Sequence, residues 1–179
     1  MFGRWLFIVF LIIPLLPITA GAHQPRFIMC STGSLENPIV VHDAEISKAF
    51  YSVLKGHPQY YRISSEKPFV LYVNILIPAN SPDKNFVSAE VLDSSMRSIA
   101  ILDGTKFDWT IFYERYAGDY YLMGPEYRAD ISAGTYYIKV FNADSSGKYA
   151  LAIGEEESFP PGEVIKAIFV VPLLKLFFF

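Results

Sequence analysis

The sequence predicts an all-β protein, an antiparallel β-sandwich of about eight strands. Three observations carry that expectation. The segments Ser132-Ala133-Gly134-Thr135-Tyr136-Tyr137-Ile138-Lys139-Val140 and Gly147-Lys148-Tyr149-Ala150-Leu151-Ala152-Ile153 each read as a turn followed by an alternating strand, together a closing hairpin. Phe69, Leu71, Val73, Ile75 and Ile77 recur with period two, and the intervening residues are mostly apolar as well, so this strand is buried on both faces. Turn signals at Pro78–Asp83, Asp103-Gly104, Ala117-Gly118, Gly124-Pro125 and Ala133-Gly134 cut the chain at short intervals, leaving no crossover helix for a parallel α/β sheet.

The first 22 residues read as an export signal. Arg4 is the single charge of the n-region, Trp5 to Leu16 is an apolar h-region, and Ala20-Gly21-Ala22 supplies a small-x-small cleavage site. Cleavage after Ala22 is expected, and the apolar run is shorter than the roughly 20 residues of a spanning helix, which weakens the alternative of an uncleaved anchor. The expected destination is the periplasm or the cell exterior. Without the leader and its Arg4, 14 Lys and Arg stand against 18 Asp and Glu. The basic residues are scattered singly, which speaks against a nucleic-acid partner. Cys30 is the only cysteine, so no internal disulfide can form and the core has to hold the fold.

Taken in order, residues 23–59 are a polar lead-in with Ser31–Ser34 as a turn. Within it Ile46, Ala49, Phe50, Val53 and Leu54 fall at helical spacing, so a short helix is expected over 44–54, ended by Gly56 and Pro58. The sandwich domain spans 60–158, with strands at 60–63, 69–77, 86–92, 98–102, 107–113, 119–123, 126–131, 135–142 and 147–153. In strand 107–113 Phe107, Trp109, Ile111 and Tyr113 are expected in the core, leaving Asp108, Thr110 and Phe112 in solvent. Residues 159–179 form an apolar C-terminal segment broken only by Glu163, Lys166 and Lys175. Packing on the sandwich, continuation into a longer chain, or contact with a membrane surface would each account for it; the first two are preferred over the membrane.

The aromatic and acidic stretch 107–127 is the candidate binding region. Glu114, Tyr116, Asp119, Tyr120, Tyr121 and Glu126 are the candidate ligand-binding residues: tyrosine rings suit stacking on sugar C–H groups, carboxylates accept hydroxyl bonds, and rigid aromatics also suit protein contacts. A glycan or an envelope protein is therefore the expected partner. Neither a metal nor a cofactor is expected, because no Asp-x-Asp-x-Asp loop, HExxH or phosphate-cradling glycine loop occurs. His23, His42 and His57 all precede the sandwich, no Gly-x-Ser-x-Gly elbow is present, and no catalytic residue is assigned. The competing view is an envelope-associated hydrolase of glycosidase type using a carboxylate pair such as Glu114 and Glu126.

Ile131-Ser132-Ala133-Gly134-Thr135-Tyr136, Gly147-Lys148-Tyr149-Ala150-Leu151-Ala152-Ile153 and the upstream Asp119-Tyr120-Tyr121 resemble the recurring pattern of the bacterial pre-peptidase C-terminal domain, over about 40 residues. That resemblance implies a jelly-roll-like sandwich in an exported protein, acting as an accessory or binding module without catalytic residues. The segments Trp109–Glu114 and Gly154–Phe159 depart from the pattern, and no peptidase domain precedes it here.

Overall fold

The structure, a computed structural model, describes residues 23–28, 33–81, 86–114 and 118–179. The expected leader (1–22), Cys30 and Tyr116 lie outside the described residues. The elements in chain order are β1 (Gln24–Phe27), β2 (Ile39–Val41), β3 (Lys48–Lys55), β4 (Gln59–Ser65), β5 (Phe69–Pro78), β6 (Ser88–Asp93), β7 (Ser98–Leu102), β8 (Thr110–Glu114), β9 (Asp119–Ile131), β10 (Gly134–Phe141), β11 (Ser146–Ile153) and α1 (Pro161–Phe177). They form two sheets, a six-stranded one ordered β1-β3-β11-β5-β9-β8 and a five-stranded one ordered β2-β4-β10-β6-β7. At the centre, β3-β11-β5-β9 face β4-β10-β6-β7, and the chain passes repeatedly from one sheet to the other. This is a jelly-roll-like sandwich.

Between the sheets, the period-two residues of β5 are almost wholly covered. They meet Tyr149, Leu151 and Ile153 of β11 and, from the facing sheet, Tyr61, Ile63, Val91, Ile138 and Val140. Each such aliphatic side chain contributes about 1.5–3 kcal/mol by leaving water. A polar cluster crosses this core: Ser52 donates to Gln59 Oε1 at 2.8 Å, the Tyr149 hydroxyl donates to the same oxygen, and Tyr61 and Tyr149 hydroxyls are 2.8 Å apart.

The second face of the six-stranded sheet is covered by α1. Ala49, Tyr51, Ala150, Ala152, Leu76 and Tyr121 meet Leu174 and Phe178 in a second buried cluster, and Ala167 of the helix is buried as well. The small side chains of Ala49, Ala150 and Ala152 let the helix approach closely. Pro161 suits the first helical turn, where no N–H is required. Arg26 pairs with Glu163 at 2.7 Å at the start of the helix, and Lys175 pairs with Asp119 at 2.5 Å near its end.

Several expectations are corrected. The helix foreseen over 44–54 is strand β3: Phe50 and Leu54 face the main core while Ala49 and Tyr51 face α1. A strand buried on both faces produces an apolar spacing that helical periodicity matches by coincidence. The polar lead-in supplies two more strands, and β1 and β2 pair in parallel with β3 and β4, so the sandwich is not wholly antiparallel. Eleven strands occur among the described residues where about eight were expected. The turn foreseen at Gly124-Pro125 is a bulge inside one long strand, β9, where the register shifts opposite Asn74 and Leu76.

The closing hairpin is likewise an arch and not a pair. β10 lies between β4 and β6, whereas β11 lies between β3 and β5 in the other sheet. Asn142 holds the connecting loop, donating from Nδ2 to the Ser146 carbonyl and accepting the Ser146 N–H. Local alternation marks both strands correctly but carries no information on which neighbours they choose.

Candidate functional site

The β8–β9 hairpin forms one edge of the six-stranded sheet, and the alternation of side chains decides what it can offer. The register pairs Glu114 with Asp119, Tyr113 with Tyr120, Phe112 with Tyr121, Ile111 with Leu122 and Thr110 with Met123. Directly opposed residues share a face. Glu114, Asp119, Tyr121, Phe112 and Met123 therefore stand on the α1 side, while Tyr113, Tyr120 and Ile111 stand on the other. The predicted site residues do not gather at one point: the acids and the exposed tyrosine are divided between two faces.

On the far side, Tyr120 is 60% and Tyr113 47% exposed, with ring centroids 4.9 Å apart and planes tilted by 44°. The five-stranded sheet ends at β7, so nothing of it covers this overhang. That is why Ile111 and Tyr113, expected in the core, are exposed. Trp109 does take the expected place in the core. Its indole stacks on Phe86 at 5.4 Å and donates to the Gly104 carbonyl at 2.8 Å, and it leaves no room for a side chain at Gly124.

On the helix side the picture is different. Tyr121 is 1% exposed, its ring edge-on to Phe179 at 5.5 Å, so it is a packing residue and offers no face to a ligand. Burial in the first place, then the Tyr51 hydroxyl and the carboxylates of Asp119 and Glu114, push the Tyr121 hydroxyl far above its ordinary range. Two carboxylates facing each other across a strand pair repel; Lys175 offsets this by pairing with Asp119. Tyr120 and Asp119 come together only at the rim, where with Ala79, Asn80, Gly118 and Phe179 they line a shallow depression of about 350 Å³.

Glu126 lies elsewhere. It is paired in register with Asn74 and accepts the Tyr72 hydroxyl at 2.9 Å. Between Asp119, which faces Glu114, and Glu126 run seven residue steps of strand, roughly 20 Å at about 3.3 Å per residue. A glycosidase pair needs at most about 9.5 Å. Glu114 and Glu126 cannot act together on one glycosidic bond.

One feature escaped the sequence reading. A cleft of about 470 Å³ opens between β1 and β2, lined among others by Arg26, Ile39, His42, Lys48, Phe50 and Glu163. Lys48 is buried there, its ammonium donating to the carbonyls of Asp43 and Ile46 at 2.7 and 3.3 Å. Burial lowers its pKa. A lysine inside an expected helix gave no hint of this. Among the described residues, no group of three or more His, Cys, Asp or Glu is placed to hold a metal ion.

No family model matches the chain, and no curated protein does. Among solved structures it is similar to the pre-peptidase C-terminal domain of a collagenase from Bacillus anthracis, at 12% identity and a TM-score of 0.39, over 74% of this chain and 95% of that one. At that identity and score, function has to be argued from the residues themselves.

Proposed function

We propose that the protein is an exported, non-enzymatic binding module whose contact surface is the overhanging end of the β8–β9 hairpin. The observation that carries this is the Tyr113–Tyr120 pair, two large rings held together on a rigid strand pair yet left in water. Tyrosines fixed this way lose little side-chain freedom when a partner docks. Ring faces next to the rim depression that Asn80 and Tyr120 help to line suit a saccharide, with C–H groups on the rings and hydroxyls on the polar atoms of the rim. A glycan of the cell envelope is therefore the ligand class favoured here; an envelope protein is the second partner class that such a surface accepts.

The test is a glycan-array and envelope pull-down screen of the wild-type protein against the Tyr113→Ala/Tyr120→Ala variant. Both rings are exposed, so the variant should unfold within about 0.5 kcal/mol per site of the parent, while a specific interaction should be lost. A partner that both forms hold equally well would remove the hairpin from the reading.

A further inference from the structure

Helix α1 is apolar nearly all round. A helix lying on a water-soluble sandwich normally turns its charges outward and its apolar stripe inward. Here Glu163 lies on the inward stripe with Ala167, Leu174 and Phe178, and its side chain is drawn to Arg26. Lys175, at the flank, is drawn to Asp119. The outward stripe, Ile165, Ile168, Phe169, Pro172 and Leu176 at i, i+3, i+4, i+7 and i+11, contains no charge. Ile168, Phe169 and Leu176 are 62%, 69% and 72% exposed. Val164, Leu173 and Phe177 widen the same surface, and Phe112 and Met123 add apolar area on the same face of the sheet. A contiguous apolar patch of this kind on a folded protein marks a docking surface.

We propose that α1 docks on a lipid bilayer, lying in the plane of the interface with its outward stripe at the boundary of headgroups and acyl chains. Two observations favour this occupant. Lysines flank the stripe: Lys166 and Lys175, with side chains 64% and 42% exposed, stand on its two sides, each held by an acid of the protein at one end of the helix, where the ammonium can also meet an anionic headgroup. The chain also enters β1 beside the first turn of α1, through the Arg26–Glu163 pair. Residues 17–23 of the sequence separate the start of β1 from the apolar run Trp5 to Leu16, a reach of at most about 25 Å. If the expected leader enters the bilayer during export, that short connection would bring α1 to the same surface. Among the described residues no helix is long and apolar enough to cross a membrane, so α1 lies on the bilayer and does not span it.

Flotation of residues 23–179, which contain every strand and the helix described above, tests this with vesicles of phosphatidylglycerol and phosphatidylethanolamine. The protein should rise with the vesicles. The Ile168→Gln/Phe169→Gln/Leu176→Gln variant should lose at least 10-fold in partitioning with its thermal unfolding unchanged, because all three side chains are already in water. Lys166→Glu should weaken binding to these vesicles more than to neutral phosphatidylcholine ones. In a Phe169→Trp variant, indole emission should shift to the blue on vesicles and be quenched by brominated acyl chains. Protein that stays in the aqueous fraction, a triple variant that floats like the parent, or an indole unresponsive to lipid each overturns the proposal. So does a lipid-free dimer dispersed by the triple variant, since the face would then belong to a second copy.

Discussion

The polar cluster inside the core has a direction, and that direction predicts unequal costs for two similar substitutions. Gln59 Oε1 can only accept, so Ser52 and Tyr149 both donate to it. Tyr149 has then spent its proton, and the Tyr61 hydroxyl has to donate to the Tyr149 oxygen across 2.8 Å. Replacing Tyr149 by Phe leaves the Tyr61 O–H without a partner in a place with no access to water, and it removes one of the two donors at Gln59. A stranded buried donor costs about 1–3 kcal/mol and a simple lost bond about 0.5–1.5, so about 2–3 kcal/mol is expected. Tyr61→Phe strands no donor, since Tyr149 keeps its bond to Gln59; about 1 kcal/mol is expected. In the double variant only Ser52 and Gln59 remain to bond each other, and the loss should be about 2 kcal/mol, well short of the sum. Urea unfolding at constant m-value reads all three. The cluster joins β3 and β11 of one sheet to β4 of the other, so these numbers report how firmly the sheets are tied. A Tyr61→Phe cost equal to or above that of Tyr149→Phe would refute the assigned direction, and additive costs would refute the coupling.

Gly154→Ala should destabilise by several kcal/mol, because φ is +80° there and a Cβ would lie 2.5–2.7 Å from the carbonyl oxygens of Ala44, Glu45 and Ile46; a thermal midpoint within a degree or two of the parent would show that the 43–47 and 154–156 segments can part freely. Burial raises the Glu163 carboxyl, but Lys166 and Arg26 outweigh it and hold it below the usual carboxylate range. Its stabilisation of the helix start is thus complete above the unfolded value of about 4.3 and is lost as pH falls through the lower folded value. Protection of the first α1 amides from hydrogen exchange should fall in that acid window and show no such pH step in Glu163→Gln; a step that persists in that variant would point to another group.

How far the sequence could be read depended on whether a strand has one covered face or two. β5 announced itself because its inner face is wholly apolar over five positions, and β10 and β11 because a glycine stands at or next to the start of each. β3 was misread because Ala49 and Tyr51 are covered by α1, so both faces are apolar and alternation vanishes. β1 and β2 are short edge strands whose pairing in parallel with β3 and β4 leaves no local pattern. At the site, the composition of 107–127 was informative but its alternation was applied without knowing where the second sheet stops. Tyr113 looked buried and Tyr121 looked available; the edge position of β8 exposes the first, and the cover of α1 buries the second.

The two proposed surfaces are separated by the hairpin itself. Asp119 turns toward α1 and its lysine, while Tyr120, the next residue, turns its ring to the opposite face beside Tyr113. A bilayer against α1 would therefore leave the tyrosine pair directed away from the lipid, toward whatever polymer or protein lies beyond it. The ion pairs at the two ends of α1 fit the same account. They fix the helix on the sheet at Arg26 and at Asp119. A helix needed only to cap the alanine-rich face of the sheet could carry polar residues at 165, 168, 169 and 176 without losing one buried contact. Their being apolar is a property of the outward face alone, and stability of the sandwich does not account for it.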